Sequence, residues 1–228
     1  MKKSEIQGFD ISKKTAAVIG CGGLGCNIAV HLVGEGIGKI YLCDFDTVSE
    51  SNLNRQFIYD KTDLGKSKSE TAAKKLSAYA EDVCVVPADK KIMQISDLDF
   101  AKDCDVIFLA VDNNEARRIV TSFCTENKIA LVNGGINGSF GTAYLYVPGK
   151  TPCPDCAGIF QSESKKILSV STTAGIIGAF EAKLGTEYML SGDTESAGKL
   201  YIFDDNVITK LEIKSDKECK ICNNNKEK

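Results

Sequence analysis

The chain has 228 residues, 43% of them hydrophobic and 26% charged, enough to bury one sizeable α/β core and too few for two, so a single domain is expected. A formal net charge of -3 and the lack of a long Lys/Arg block argue against nucleic acid as a partner. No stretch approaches the ~18 apolar residues of a membrane span, and Met1-Lys2-Lys3 leads into Ser4-Glu5-Ile6-Gln7, not into a signal-peptide core, so the reading is a cytoplasmic protein.

In chain order, Thr15 to Gly20 reads as a buried strand running into a glycine-rich turn. Cys26 to Val33 has helical apolar spacing and stops near Gly34 and Gly36. Lys39 to Asp44 is a second strand, Gly65 to Ala80 a helix with its charges on one face, and Val83 to Val86 a third strand. A buried strand over Asp105 to Ala110, a helix over Glu115 to Glu126 and a strand at Ile129 to Val132 come next. Strands alternating with helices imply right-handed crossovers and a mostly parallel sheet.

From Phe140 the rhythm changes to a strand ending at Val147, a Pro/Cys segment and a Gly/Ala-rich helix over Thr173 to Leu190. Two strands, Lys199 to Phe203 and Val207 to Ile213, are joined by a turn at Asp204-Asp205-Asn206. The fold class expected is α/β, a Rossmann-like mostly parallel sheet (15–135) extended by antiparallel C-terminal strands (136–222) with a structural zinc site. Residues 1–222 are expected to form one domain and Asn223 to Lys228 a mobile tail.

Gly20-Cys21-Gly22-Gly23-Leu24-Gly25 falls where the first strand meets the first helix. Its glycines can adopt positive φ and let bare N–H groups face a phosphate, unless they serve packing only. Asp44 ends the second strand at the spacing expected of an acceptor for ribose hydroxyls, a pattern that does not choose between NAD and ATP. The motifs from Asp44 onward do discriminate: Asp44-Phe45-Asp46, then Ser51-Asn52-Leu53-Asn54-Arg55-Gln56, then Gly65-Lys66-Ser67-Lys68. A departing pyrophosphate needs an Arg fork and a Lys charge; hydride transfer does not. Asp112-Asn113-Asn114 lies at the C-terminal end of the fourth strand, where a carboxylate can hold Mg²⁺ or a side chain can cap the next helix.

Of ten cysteines, Cys21, Cys26, Cys43, Cys84, Cys104 and Cys124 read as small apolar side chains of the core. Cys153/Cys156 and Cys219/Cys222 are two CxxC pairs at the spacing of a closed tetrahedral Zn²⁺ site, with redox chemistry the rival reading. His31 is the only histidine, a packed or partly exposed helix residue, which makes a Ser-His or Cys-His hydrolase a poor reading.

Together these motifs resemble the ubiquitin-activating-enzyme-like (ThiF/MoeB/HesA) family of sulfur-carrier protein adenylyltransferases, from about Gly8 to Cys222. The resemblance implies that the glycine loop, Asp44 and Asp46 hold ATP. It places Asn52, Arg55 and Lys68 on the phosphates or the reacting carboxylate, counts Gln56 and Asn113 among the nucleotide-binding residues, and gives Mg²⁺ to Asp112. It implies a homodimer and a ubiquitin-like sulfur-carrier partner (ThiS/MoaD-like) whose Gly-Gly tail is adenylylated with release of pyrophosphate, feeding thiamine or molybdopterin synthesis.

Two departures stand out. Gln161 to Thr173 lacks the cysteine that some members use for a covalent link, which points to a separate sulfur donor; the first twenty residues also lack the N-terminal arginine often supplied across the dimer. Alternative readings are an adenylyltransferase for a peptide or tRNA, an NAD-binding dehydrogenase, and a nucleotide-binding scaffold without turnover.

Overall fold

The computed structural model describes residues 9–159, 169–192, 194–204 and 206–222. The first residues, Gln161 to Leu168 of the cysteine-free segment, Asp205 of the hairpin turn and the tail 223–228 lie outside them.

Five strands make the parallel part of the sheet: β1 (Thr15–Ile19), β2 (Lys39–Cys43), β3 (Cys84–Ala88), β4 (Val106–Leu109) and β5 (Ala130–Asn137). Three antiparallel strands extend it: β6 (Phe140–Tyr146), β7 (Lys199–Asp204) and β8 (Val207–Glu212). The order is β3-β2-β1-β4-β5-β6-β7-β8. Ala16 to Ile19 of β1 and all of β4 are buried, as central parallel strands covered on both faces must be, and this is why they read as unbroken apolar runs. The chain reverses its direction of travel across the sheet between β1 and β4, which opens a crevice at their C-terminal ends.

Four helices cover the sheet: α1 (Gly23–Gly34), α2 (Lys68–Tyr79), α3 (Asn114–Asn127) and α4 (Ser171–Ser191). On one face α1 and α4 pack over Val18, Val132 and Leu145; on the other, α3 packs over Ile19, Leu131 and Tyr146. Among the 21 residues of α4 apolar side chains are spread round its whole circumference, as expected of a helix buried on most sides. Gly185 lets it approach: a Cβ there would stand 2.2 Å from the Phe108 ring of β4. Thr186 fixes its far end by donating to Glu35 Oε2 at 2.6 Å.

The expected elements are present. The structure adds short 3-10 helices at Glu50–Asn52, Lys61–Asp63 and Ile95–Ala101, and β5 runs through Gly134 and Gly135 to Asn137. One expectation is corrected: Cys84, at the solvent end of β3, is exposed, while Cys21, Cys26, Cys43, Cys104 and Cys124 are buried. Burial pushes the thiols of Cys26, Cys43 and Cys104 up to about 12, so they stay protonated and inert. His31 is exposed. Among the described residues, no helix is long and apolar enough to cross a membrane.

Candidate active site

The glycine loop is built by close approach. Gly20 sits at φ +98°, and a Cβ on it would stand 2.6 Å from Ala110 O; a Cβ on Gly25 would stand 1.8 Å from Gly20 O. Any side chain at either position would push β1, α1 and β4 apart. Gly22 caps α1 without a side-chain bond, and the first turn carries no acid, so the helix N-terminus presents its amides to an incoming anion. Beneath the loop, the Tyr59 hydroxyl lies 3.1 Å from Cys21 O and 3.2 Å from Lys68 O, linking the loop to the start of α2. The chain pattern gives no hint of this tyrosine, because both partners are distant backbone carbonyls.

Asp44 is buried and accepts from Cys21 N at 2.7 Å and Asp46 N at 2.8 Å. Burial pushes its carboxyl up, against the lowering influence of those two N–H groups and Lys68. Lys68, the first residue of α2, is 6% exposed and reaches Asp46 Oδ2 at 3.1 Å. Lys66 instead pairs with Asp63. Arg55 holds its guanidinium on two neutral acceptors, Ser51 O at 3.0 Å and Asn54 Oδ1 at 2.8 Å, while its aliphatic stem lies against Gly23. Gln56 is buried, and its Oε1 has no hydrogen-bond partner.

These groups line one cavity of about 610 Å³. Gly20, Gly22, Gly23, Leu24, Asp44, Asp46, Asn52, Arg55, Gln56 and Lys68 line it, together with Asp112 and Asn113 just past the end of β4. Asn113 caps α3 by accepting from Ala116 N at 2.7 Å, leaving Asp112 exposed to the cavity. Gly25 is the one residue of the expected set outside the wall; its part is steric. Lys90, Lys91 and Arg117 add cationic side chains that the sequence reading missed. The cavity continues past Gly135, Asn137 and Thr142 to Ala157, Gly158 and Ile159, beside the first CxxC pair.

The Sγ atoms of Cys153, Cys156, Cys219 and Cys222 all lie within 4.8 Å of one another. The separations are 3.8 Å for Cys153–Cys156 and 3.5 Å for both Cys153–Cys219 and Cys156–Cys222. A tetrahedron with Zn–S bonds of ~2.3 Å has S–S edges of ~3.8 Å, so the four sulfurs fit zinc closely. Asp216 N donates to Cys156 Sγ at 3.4 Å, a bond that suits a thiolate ligand.

The site is a Rossmann-like sheet with a helix N-terminus that has no side-chain cap at its switch point, and Arg55, Lys68 and Asp112 on the same cavity. The chain belongs to the ThiF family, whose model matches residues 7–224. It is 33% identical over 166 residues to the Nedd8-activating enzyme E1 catalytic subunit of Drosophila melanogaster, covering 67% of this chain and 37% of that protein. It is 32% identical over 157 residues to SUMO-activating enzyme subunit 2 of Dictyostelium discoideum, covering 68% and 24%. The chain thus spans well under half the length of these relatives. In fold it matches the crystal structure of E. coli MccB with ATP, at a TM-score of 0.82 and 23% identity over 93% of this chain and 67% of that one. It also matches PaaA, at 0.76 and 23% over 90% and 74%. The E1-like family resemblance read from the motifs therefore holds.

Proposed function

We propose that the chain, with residues 1–222 as one adenylation domain, uses ATP to adenylylate the C-terminal Gly-Gly carboxylate of a ubiquitin-like sulfur-carrier protein, releasing pyrophosphate. The observation that carries this reading is the convergence of Arg55, Lys68 and Asp112 on one cavity with the uncapped end of α1. Its extension, lined by Gly135, Thr142 and Gly158, offers room for a tail with small side chains. The relatives named for activating NEDD8 and SUMO support a ubiquitin-like acceptor over NAD chemistry.

In this reading the carboxylate oxygen attacks the α-phosphorus, the bond to the β-phosphate oxygen breaks, and the electron pair leaves on pyrophosphate. The α1 amides hold the phosphates, and Asp44 accepts from the ribose. Lys68 and a re-aimed Arg55 offset the charge that builds on the leaving oxygens. Holding two anions side by side supplies most of the rate. Mg²⁺ adds positive charge at the phosphate oxygens when bound, and Asp112, a hard oxygen ligand at the cavity wall, is suited to hold it. With no cysteine between the first CxxC pair and α4, the acyl-adenylate passes to a separate sulfur donor. A homodimer is part of the reading, and so is a zinc-bound Cys153/Cys156/Cys219/Cys222 site.

The test is ATP–pyrophosphate exchange with Mg²⁺ and purified Gly-Gly-ending carrier proteins. Exchange that needs a carrier and falls at least about 100-fold in Asp112→Ala and Arg55→Ala is expected. Exchange with a short peptide or a tRNA in place of every carrier would transfer the reading to that acceptor. ATP binding with no exchange would leave a scaffold.

A further inference from the structure

Arg117, the fourth residue of α3, reaches β5 from the face that α3 covers. Its Nη1 donates to Asn133 Oδ1 at 2.8 Å and its Nη2 to Gly134 O at 3.1 Å. It is 9% exposed, and it belongs to the cavity wall. From the opposite face of the sheet, Glu181 of α4 reaches the same point of β5. A Cβ on Gly134 would stand 2.4 to 2.6 Å from its carboxyl atoms, so only glycine leaves room for that group. Glu181 is 0% exposed, and neither of its oxygens has a hydrogen-bond partner. Asn133 Nδ2, on the Arg117 side of the strand, is likewise unpartnered.

No carboxylate is stable in such a place. An ionised Glu181 would be a buried anion without a donor. Burial pushes its carboxyl well above the usual range, and Arg117, across the strand, offsets this only in part. The surroundings offer no better partner. α1 brings His31, which is exposed, and Glu35, which accepts from Thr186. Along α4 itself, Lys183 and Glu187 pair with each other at the surface. β4 and β5 carry no titratable side chain, and Tyr144 and Tyr146 of β6 face the other side of the sheet, bonded to Pro152 O and Thr125.

We propose that Arg117 is an anion-contacting residue of the active site and that Glu181 is its positioning residue, held protonated behind Gly134 so that it adds no negative charge behind Arg117, which also shares the cavity wall with Asp112. The proposal rests on the adenylyltransferase reading only for the name of the anion, a substrate carboxylate or an ATP phosphate. When Glu181 loses its proton, the new negative charge cancels much of Arg117's attraction, and anion binding weakens. A carboxyl whose pKa is raised by folding favours the folded, binding-competent state at low pH and loses that contribution as pH rises through its folded pKa, so binding weakens with rising pH.

Calorimetric titration of the whole protein with ATP, and separately with a synthetic peptide ending in Gly-Gly, from neutral to alkaline pH identifies the anion by which affinity responds. In the wild type one of the two is expected to weaken about tenfold as pH rises, and Glu181→Gln is expected to flatten that dependence for the same ligand. Arg117→Gln is expected to weaken it about tenfold at neutral pH, with Arg117→Lys restoring part of the loss. Infrared difference spectra of Glu181→Gln against wild type supply a readout that needs no activity: a protonated-carboxyl band present at neutral pH in the wild type alone. Absence of that band, or identical pH dependence in wild type and Glu181→Gln, would overturn the proposal. Failure of ATP–pyrophosphate exchange with the band and the pH effect intact would overturn only the adenylyltransferase reading.

Discussion

At the scale of single residues, the glycine loop depends on groups the chain sets far apart. Tyr59 lies 38 residues from Cys21, yet its hydroxyl is shared between Cys21 O and Lys68 O. Tyr59→Phe removes one buried hydroxyl and keeps the ring. It should cost about 1–2 kcal/mol of stability, read as a lower urea midpoint with unchanged slope, and weaken ATP binding because the loop and Lys68 lose their shared anchor. Gly25→Ala tests the loop differently. Its Cβ would overlap Gly20 O, and the expected outcome is a loss of 3 kcal/mol or more, roughly the upper range for overpacking, with ATP binding abolished in whatever remains folded. The sequence made the glycines, Asp44, Arg55 and Lys68 legible because each lies in a short motif with a phosphate-binding rationale. It left Tyr59, Arg117 and Glu181 illegible because their partners are backbone carbonyls, or side chains on another element, that only the fold brings near. Lys66 and Lys68 show how fine the distinction is: two residues apart, the exposed Lys66 pairs with Asp63 while the buried Lys68 pairs with Asp46 in the cavity wall.

At the scale of elements, period and punctuation located every strand and helix because most are apolar on a regular spacing. They failed where glycine is used against its usual meaning. The sequence reading ends the fifth strand at Val132, but the strand runs on through Gly134 and Gly135 to Asn137 and pairs with β6 from Leu131 through Asn137; the missing side chain at Gly134 makes room for Glu181 instead of breaking the strand. The 3-10 helices escaped because a single turn has no hydrophobic period. In α4, the same lack of side chain decides how near the helix sits to the sheet. Gly185→Ala should destabilise the protein by about 1–3 kcal/mol by pressing on the Phe108 ring. Combining it with Phe108→Leu, which costs stability alone, should recover part of that loss. A non-additive double-mutant cycle in denaturant titrations would show that the two meet at this contact; strict additivity would show that α4 relaxes elsewhere.

At the scale of the whole molecule, the antiparallel part of the sheet ends, among the described residues, at β8, all six of whose residues are exposed. The chain beyond it is brought back by the cysteine cluster, which joins residues 66 apart in sequence, Cys153 with Cys219 and Cys156 with Cys222. Tyr144 Oη, donating to Pro152 O at 2.6 Å, anchors the first knuckle to β6, and Ala157 to Ile159 just beyond it form part of the cavity. Zinc there would act on the fold and the site at once. Metal–thiolate bonding contributes about 10 kcal/mol or more in small zinc-finger peptides that are unfolded without metal. Here a large apolar core holds most of the sheet independently of the cluster, so the expected gain is smaller and concentrated on the last strands and the knuckle loop. Purified protein is expected to carry one zinc per chain and to lose it to a strong chelator or in Cys219→Ser. Loss should lower the melting temperature by several degrees and raise amide exchange in β7, β8 and the loop at Cys153, while β1 to β4 keep their protection. Acidification should release the metal as the thiolates take up protons. Protein that holds no zinc, melts at the same temperature with and without chelator, and forms a Cys153–Cys156 disulfide on mild oxidation would return the two pairs to the redox reading.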